Sequence, residues 1–491
     1  MKKHVSVILL LAILLCSLAC CAQSDEDELD TSANQETEQA ACLDQVPDSL
    51  DYGGEDVAIL NRALQGWTWD EVAVPELNSE PVNDAVFNRN LKVEDRLNIK
   101  INSIANEDPD PTVVVLEARN AVLAGSDEYD LLAGACCMVL YTVLEGTFRD
   151  ISHLEYLDLS QDYWTQDYND VMMYGNRQYS ATGAIALSTY RFAFVTMFNK
   201  QHFDDKGVPY LYETVDNHEW TLDYQAALSK DFYQDLNGNS KKDEDDFYGL
   251  ITSSNISTDS YWAACDVPLV EKNADGEYEY VLDIAKLSDV TDKILRLCYE
   301  SGTLVYRYTP MDGDQDDIRI AFSKGKGAMA TTRLVAVEQV DIRSMTDPYG
   351  IVPMPKYDVA QKHYGTLQHD QFTVYAIPKT VNDSTFQMLG AVLEVMASES
   401  ARIVKPAYYE LALKRKYMSD PMAWDMLDLI FESIRIDAGI EYTAVLGTPT
   451  EYLRQIVDSK INTVSSQYAK LERTLKKDLL KMQDQLDDLE E

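Results

Sequence analysis

The sequence predicts an α/β protein of more than one domain, built on mainly parallel sheets. Three observations carry this. From Gln65 onward, short apolar runs rich in β-branched residues alternate with amphipathic stretches at helical spacing, the order that gives parallel sheets. The chain has 491 residues, more than one ordinary domain needs. Hydrophobic residues make up 46% and aromatic residues 10%, enough for a large core.

The N-terminus reads as an address. Met1-Lys2-Lys3-His4 is basic, and residues 5–19 form an apolar run of signal-peptide length. A membrane span would need ~20 apolar residues. The run ends Ser17-Leu18-Ala19-Cys20-Cys21, which resembles a bacterial lipobox. The resemblance implies a lipoprotein signal peptide over 1–19, cleavage after Ala19 and acylation of Cys20, with Cys21 as the alternative. The protein would then sit on the outer face of the bacterial cell membrane, held there by lipid alone. Residues 20–60 read as an acidic flexible tether. No Lys or Arg occurs between Ala22 and Asn61, and Asp25-Glu26-Asp27-Glu28 opens the stretch.

The body follows in order. Val72-Ala73-Val74 reads as a first strand, and Asn83-Asp84 as the opening of a helix that carries Ala85, Leu91, Val93 and Leu97. Ile99-Lys100-Ile101 and Tyr129-Asp130-Leu131-Leu132 read as strands on either side of a helix over 112–124. Residues 192–198 are apolar enough for a strand passing between lobes, and Trp220 reads as packing at the start of a helix. The last forty residues carry Val464, Tyr468, Leu471, Leu475, Leu479, Met482 and Leu486, the spacing of an amphipathic helix packed on the body.

Charge and cysteines exclude several functions. Acids number 83 against 42 Lys and Arg, a formal charge of −41. Binding to nucleic acid or an anionic membrane through a basic face is thereby excluded. No cysteine spacing suits zinc. Cys136-Cys137 are adjacent, and Cys265 with Cys298 could be free or bridged. No nucleophile, zinc-protease or phosphate-loop motif occurs, so no catalytic residues are assigned.

One motif has ion chemistry. Asp235, Asn237, Asn239, Asp243 and Asp246 occupy loop positions 1, 3, 5, 9 and 12 of an EF-hand spacing, with the Lys241 carbonyl at position 7. Ser240 replaces the usual glycine at position 6, and Asp246 the longer glutamate. The loop is a candidate structural calcium site, with an acidic surface turn as the alternative. No other cofactor is expected.

Six segments together resemble a known family. Val195-Thr196-Met197-Phe198-Asn199-Lys200, Gly207-Val208-Pro209 and Glu219-Trp220-Thr221 come first. Phe322-Ser323-Lys324-Gly325-Lys326-Gly327-Ala328-Met329, Tyr349-Gly350-Ile351-Val352-Pro353-Met354-Pro355-Lys356 and Ala376-Ile377-Pro378-Lys379 complete the set. In this order, behind a lipobox, they resemble the extracellular solute-binding proteins of family 1. The resemblance implies a periplasmic-binding-protein-like type II fold, two α/β lobes joined by crossing hinge strands, followed by C-terminal helices. Lobe 1 would comprise 61–192 and 352–410, and lobe 2 would comprise 199–350 and 411–491.

Such a protein captures a small solute, here expected to be a carbohydrate, by hinge closure. It delivers that solute to the permease subunits of an ABC importer, as a monomer and without covalent chemistry. By the same resemblance, Glu76, Asn78, Asn83 and Asp84 after the first strand should face the cleft, as should Tyr190 and Arg191. Tyr261, Trp262, Arg333, His369 and Asp370 would face it from the other side. Bland alternatives stay open, since Asn83 or Asp84 could cap a helix and Trp262 could be core. An extracellular carbohydrate-processing enzyme with paired carboxylates, or a binding protein that feeds a sensor kinase, are the alternative functions.

Overall fold

The computed structural model describes residues 44–243, 245–307, 313–417 and 420–489. The signal segment, both lipobox cysteines and the first part of the expected tether lie outside the described residues. Among the described residues no helix is long and apolar enough to cross a membrane.

Two sheets organise the body. In chain order their strands are β1 (Glu55–Arg62), β2 (Ile99–Asn106), β3 (Leu131–Ala135), β4 (Phe194–Asn199), β5 (Tyr248–Ser253), β6 (Thr303–Tyr306), β7 (Gly327–Arg333), β8 (Tyr349–Val352) and β9 (Thr373–Ala376). The first sheet has the order β9-β3-β1-β2 and the second β8-β4-β7-β5-β6. β1 runs parallel to β2 and β3, while β9 is antiparallel at the edge. In the second sheet β5 is parallel to β6 and β7, and β4 is antiparallel to β7 and β8.

The expected tether is therefore too long. Val57, Ile59 and Leu60 in β1 are fully buried, and the strand pairs with β2 over its whole length. Upstream, the Asp44 carboxylate is buried and receives Nη1 and Nη2 of Arg96 at 2.9 and 2.7 Å. Averaging over an acidic stretch hid the apolar run 57–60, which is enough to build a central strand.

Val72-Ala73-Val74 is correspondingly not a strand. It is a connection in which the Val72 carbonyl bonds to side chains rather than to a sheet. Arg89 Nη2 donates to the carbonyls of Glu71 and Val72 at 2.9 and 2.8 Å, and Asn90 Nδ2 also donates to Val72. Both donors belong to α1 (Pro81–Leu97), which starts with proline at its first turn and ends at Asn98 in the left-handed region. Its face of Val82, Ala85, Val86, Val93 and Leu97 is buried at helical spacing. α2 (Pro111–Leu123) is capped by Asp110, whose carboxylate accepts from the Thr112 amide at 2.9 Å.

In the second lobe α3 (Leu222–Phe232) is capped by Thr221 and packs on α4 (Ile284–Glu300). α4 buries Leu287, Val290, Thr291, Ile294, Leu297 and Cys298 along one stripe. Trp220 is completely buried, and its Nε1 donates to the Pro353 carbonyl at 2.8 Å. After β9, α5 (Asp383–Glu399) packs on α1, and α6 (Pro421–Glu432) packs against β8 of the other sheet. α7 (Pro449–Ser459) and α8 (Val464–Asp487) end the described fold. α8 lays Val464, Tyr468, Leu475, Leu479, Met482 and Leu486 against the body and touches α4. Cys136, Cys137, Cys265 and Cys298 are buried free thiols, so Cys265 and Cys298 are unbridged.

Two segments cross between the sheets, the first of them opening with a helical turn over Ser188–Arg191. One leads from Ser188 into β4, and the other runs from Thr366 to β9. They meet where Ala193 bridges Gln368 and where the His369 amide donates to the Phe192 carbonyl at 3.0 Å.

Candidate functional site

Side chains of the crossing segments face two different cavities. Phe192 and His369 line one, of about 500 Å³, while Tyr190 and Gln368 line another of about 550 Å³. The second cavity is walled by residues 162–165, 405–409 and 428–435, with Tyr408, Tyr409 and Phe431 among its rings, and among the described residues no parallel strand of either main sheet ends in it. The first is different. β1 ends at it with Arg62, the loop after β2 brings Asp110, the turn after β5 brings Asn255, and β7 ends at it with Arg333. Carboxyl ends of parallel strands from both sheets thus converge on one cleft, the usual ligand position of open α/β sheets.

The cleft has an aromatic floor and fixed cations. Trp67 and Phe192 meet edge to face at 5.8 Å. The Arg333 guanidinium lies 4.2 Å from the Trp67 ring centroid, and its Nη1 faces His369 Nδ1 at 3.2 Å. His369 Nδ1 is therefore the acceptor and Nε2 carries the proton, facing Asp370 Oδ1 at 3.6 Å. Burial, then the positive charges of Arg333, Arg454 and Arg62, hold His369 well below the usual histidine range. Arg62 Nη2 donates to Gln371 Oε1 at 3.2 Å, and Arg454 Nε sits 2.9 and 3.0 Å from the two Asp259 oxygens. Beneath lies Glu441, completely buried, whose carboxyl is pushed well up by burial and by the Asp370 charge.

Of the residues expected at the cleft, the structure brings Arg333, His369 and Asp370 to this cavity and places the others elsewhere. Glu76, Asn78, Asn83 and Asp84 form a closed network at the start of α1. Asn83 Nδ2 donates to the Glu76 carbonyl at 2.8 Å, and the Asn78 amide donates to Asp84 Oδ1 at 2.9 Å. The resemblance ties them to the loop after the first strand, but the first strand is β1, and the loop after it carries Leu64 and Trp67. Tyr190 lines the second cavity. Arg191 is buried in an ion cluster with Asp70 and Glu338. Tyr261 and Trp262 are core residues, and Trp262 packs 6.2 Å from the Tyr468 ring of α8. Arg62, Trp67 and Arg454 escaped the sequence reading. A strand assigned to residues 57–62 would have exposed the first two, whereas nothing local marks Arg454.

The candidate ion loop folds on itself. Asp235 accepts from the amides of Gly238 and Ser240 at 2.7 and 2.8 Å, and Asp243 accepts from the side-chain amides of Asn237 and Asn239 at 3.1 and 2.5 Å. Asn239 Oδ1 accepts from the Lys241 amide at 2.7 Å. Asp246 is buried. Its Oδ2 accepts from Tyr233 at 2.7 Å, and its Oδ1 has no partner among the described residues. Among the described residues no three His, Cys, Asp or Glu side chains are gathered tightly enough to hold a metal ion.

No protein-family model matches the sequence, and no curated protein matches it. Solved structures match over most of the chain. An ABC substrate-binding protein from Listeria monocytogenes, in complex with cycloalternan, is 14% identical, covers 88% of this chain and 99% of its own, and gives a TM-score of 0.54. An ABC transporter solute-binding protein from Thermotoga lettingae, bound with alpha-D-tagatose, is 12% identical over 87% of this chain and 100% of its own, with a TM-score of 0.56. A maltose/maltodextrin-binding domain from Bdellovibrio bacteriovorus, bound to maltotriose, is 14% identical over 88% of this chain and 100% of its own, with a TM-score of 0.52. The chain has the two-lobed α/β fold of ABC-transporter solute-binding proteins.

Proposed function

We propose that this protein captures a carbohydrate between its lobes outside the cell and delivers it to the permease of an ABC importer. The cleft carries the reading. A cavity of about 500 Å³ is the size of small-ligand sites, and it lies where strand ends of two hinged sheets converge. Trp67 offers an aromatic face for the C–H side of a sugar ring, and arginine, amide and carboxylate groups around it suit hydroxyls. The solved proteins of this fold named above hold cycloalternan, tagatose and maltotriose. Closure about the crossing segments would bury the solute and change the surface offered to a permease. Acylation of Cys20, or alternatively Cys21, would keep the protein at the membrane.

A thermal-shift screen against mono- and oligosaccharides tests this. A sugar at 100 times its dissociation constant stabilises the folded state by about 2.7 kcal/mol. A shift with the sugar recovered unchanged supports capture, whereas a converted sugar would favour the enzyme with paired carboxylates. A shift with peptides alone would remove the carbohydrate assignment. The choice between importer and sensor kinase is tested by uptake in a strain that lacks the permease.

We also propose that the loop from Asp235 to Asp246 takes a structural calcium ion. The orphaned, buried Asp246 Oδ1 supports this, as do the oxygen-bearing side chains at positions 1, 3, 5, 9 and 12. Asn237 and Asn239 would turn their carbonyl oxygens inward to complete it. A melting temperature that is unchanged between excess calcium and excess chelator would remove the site.

A further inference from the structure

We propose that the cavity behind the crossing segments is a second ligand site, built for an aromatic molecule with one N–H or O–H donor, and that its occupancy is linked to solute capture. The site stands on its own geometry, and the linkage rests on the carbohydrate-capture reading above.

The floor of this cavity holds an unanswered acceptor. Gln368 lines it and is 2% exposed. Its Nε2 donates to the Thr189 carbonyl. Only the amide nitrogen can donate, so the other end is the oxygen, and Oε1 has no hydrogen-bond partner among the described residues. No other described residue of this wall has a buried side-chain nitrogen or oxygen without a partner.

Around that oxygen stand rings whose polar ends are taken. Tyr408 Oη donates to Glu338 Oε1 at 3.0 Å, Tyr409 Oη to Asp428 and Tyr163 Oη to Glu394. Tyr190 and Phe431 meet edge to face with centroids 5.0 Å apart, and Tyr409 lies 5.7 Å from Phe431. Apolar faces around a single buried acceptor suit a flat ring system with one donor. A carbohydrate, with a hydroxyl on most of its carbons, would leave most of them unmet there. The exposed charges of the wall, Asp162, Asp428, Glu432, Lys405 and Arg435, are of both signs, so selection falls to the interior.

The two walls belong to different lobes. Tyr163 and Trp164 both donate to Glu394 of α5, which packs on α1, whereas Phe431 belongs to α6, which packs against β8. Between them the floor is the crossing segments, with Tyr190 and Gln368 on this side and Phe192 and His369 on the cleft side. Rotation of the lobes about those segments narrows one cavity as it widens the other. A ligand that touches both rear walls therefore binds one lobe angle better than another. It shifts solute affinity by the same factor by which the solute shifts its own.

Calorimetric titration of the unliganded protein with 2-naphthol and indole, each beside its methylated counterpart (2-methoxynaphthalene and 1-methylindole), tests the site. At least one donor compound is expected to bind at least tenfold more tightly than its counterpart, which keeps the rings and loses the donor. Gln368→Met should erase this difference and leave the methylated compound within a factor of three. The comparison on the unaltered protein stands even if that variant misfolds. Equal affinity within each pair, or no binding, overturns the site. For the linkage, the titration is repeated with the cleft saturated by a sugar that binds. Probe affinity should change at least threefold and then hold constant as sugar is raised further. No change overturns the linkage alone. A loss that grows without limit puts the probe in the cleft and overturns the site. If no saccharide binds, carbohydrate capture and the linkage fail together, while the comparison of donor with methylated compound still decides the site.

Discussion

Arg191 donates to Glu338 through Nε and Nη2, both at 3.0 Å, and so ties the segment leaving the first lobe to the turn that follows β7 in the second. On its other side the same guanidinium is held by both oxygens of Asp70, and the side chain is 3% exposed. A charge so enclosed serves the hinge and not the solute.

Arg191→Met would leave Asp70 and Glu338 facing each other without a cation. Removing one partner of a buried ion cluster costs about 3–5 kcal/mol, because the charges left behind lose both water and counter-ion. Urea unfolding of the variant against the unaltered protein reads this directly. A loss below about 1 kcal/mol would mean that the cluster is solvated and that the two lobes are not fastened there.

Two tryptophans separate cleft from core. Trp67→Ala should weaken the bound sugar at least tenfold, about 1.4 kcal/mol, with little change in the melting point of the unliganded protein. Trp262→Ala should do the reverse. It opens a void beside Tyr468 and costs about 3–5 kcal/mol of stability, with affinity unaltered once folding is accounted for. Exchanged outcomes would put the cleft on the wrong side of Tyr261 and Trp262.

These residues also show what a sequence can and cannot reveal. The alternation of strand and helix was legible because parallel sheets need long apolar runs, and the segments from Val195 to Lys379 carried enough pattern to imply two hinged lobes. The stripe on α8 was legible for the same reason. Register was not. Val72-Ala73-Val74 looks like a strand locally, but Arg89 and Asn90 take the Val72 carbonyl, and that competition is invisible without the fold. The error moved the start of the first cleft loop from Ala63 to Pro75 and hid Trp67. Arg333, His369 and Asp370 are implied by the resemblance alone; Arg333 ends β7, and the other two lie on the segment that leads into β9. Tyr261 and Trp262 carry plausible sugar-binding chemistry, and only packing shows that they face inward.

Glu71 should give the hinge a pH dependence. Its carboxylate accepts from Thr373 Oγ1 at 2.6 Å and from the Ser188 amide, at the first-lobe ends of both crossing segments. Burial pushes its carboxyl up from 4.5 to about 6. Between those values the folded state binds the proton more firmly than the unfolded chain, so stability from this group is full below pH 4.5 and is lost as pH rises to 6. The shift corresponds to about 2 kcal/mol. Asp437, also raised to about 6, has the same sign, whereas neutral His369 has the opposite one. The contribution of Glu71 is therefore read as a difference. The gap in unfolding free energy between the unaltered protein and Glu71→Gln should shrink by about 2 kcal/mol from pH 4.5 to pH 6.5. A gap that is constant with pH would show that Glu71 titrates alike in both states.

The ion loop offers a test that does not require calcium. Ser240 has φ +60°, the left-handed backbone that glycine adopts without a clash and that other residues adopt at a cost of about 1 kcal/mol. It stands at the sixth position, where an EF-hand loop makes its sharp turn. Asp235 holds that turn by accepting the Ser240 amide. Ser240→Gly should therefore raise stability by up to about 1 kcal/mol in chelator, less the entropy glycine restores to the unfolded chain. In calcium, the same variant should also bind the ion more tightly, since the turn is then closer to its unstrained form. Asp235→Asn should abolish the calcium-dependent part, and it also leaves one oxygen for the two amides that Asp235 receives on separate oxygens, so a loss of stability in chelator is expected beside it. If Ser240→Gly stabilises in chelator but calcium shifts neither variant nor parent, the segment is a strained acidic turn, and the oxygen spacing has no ligand.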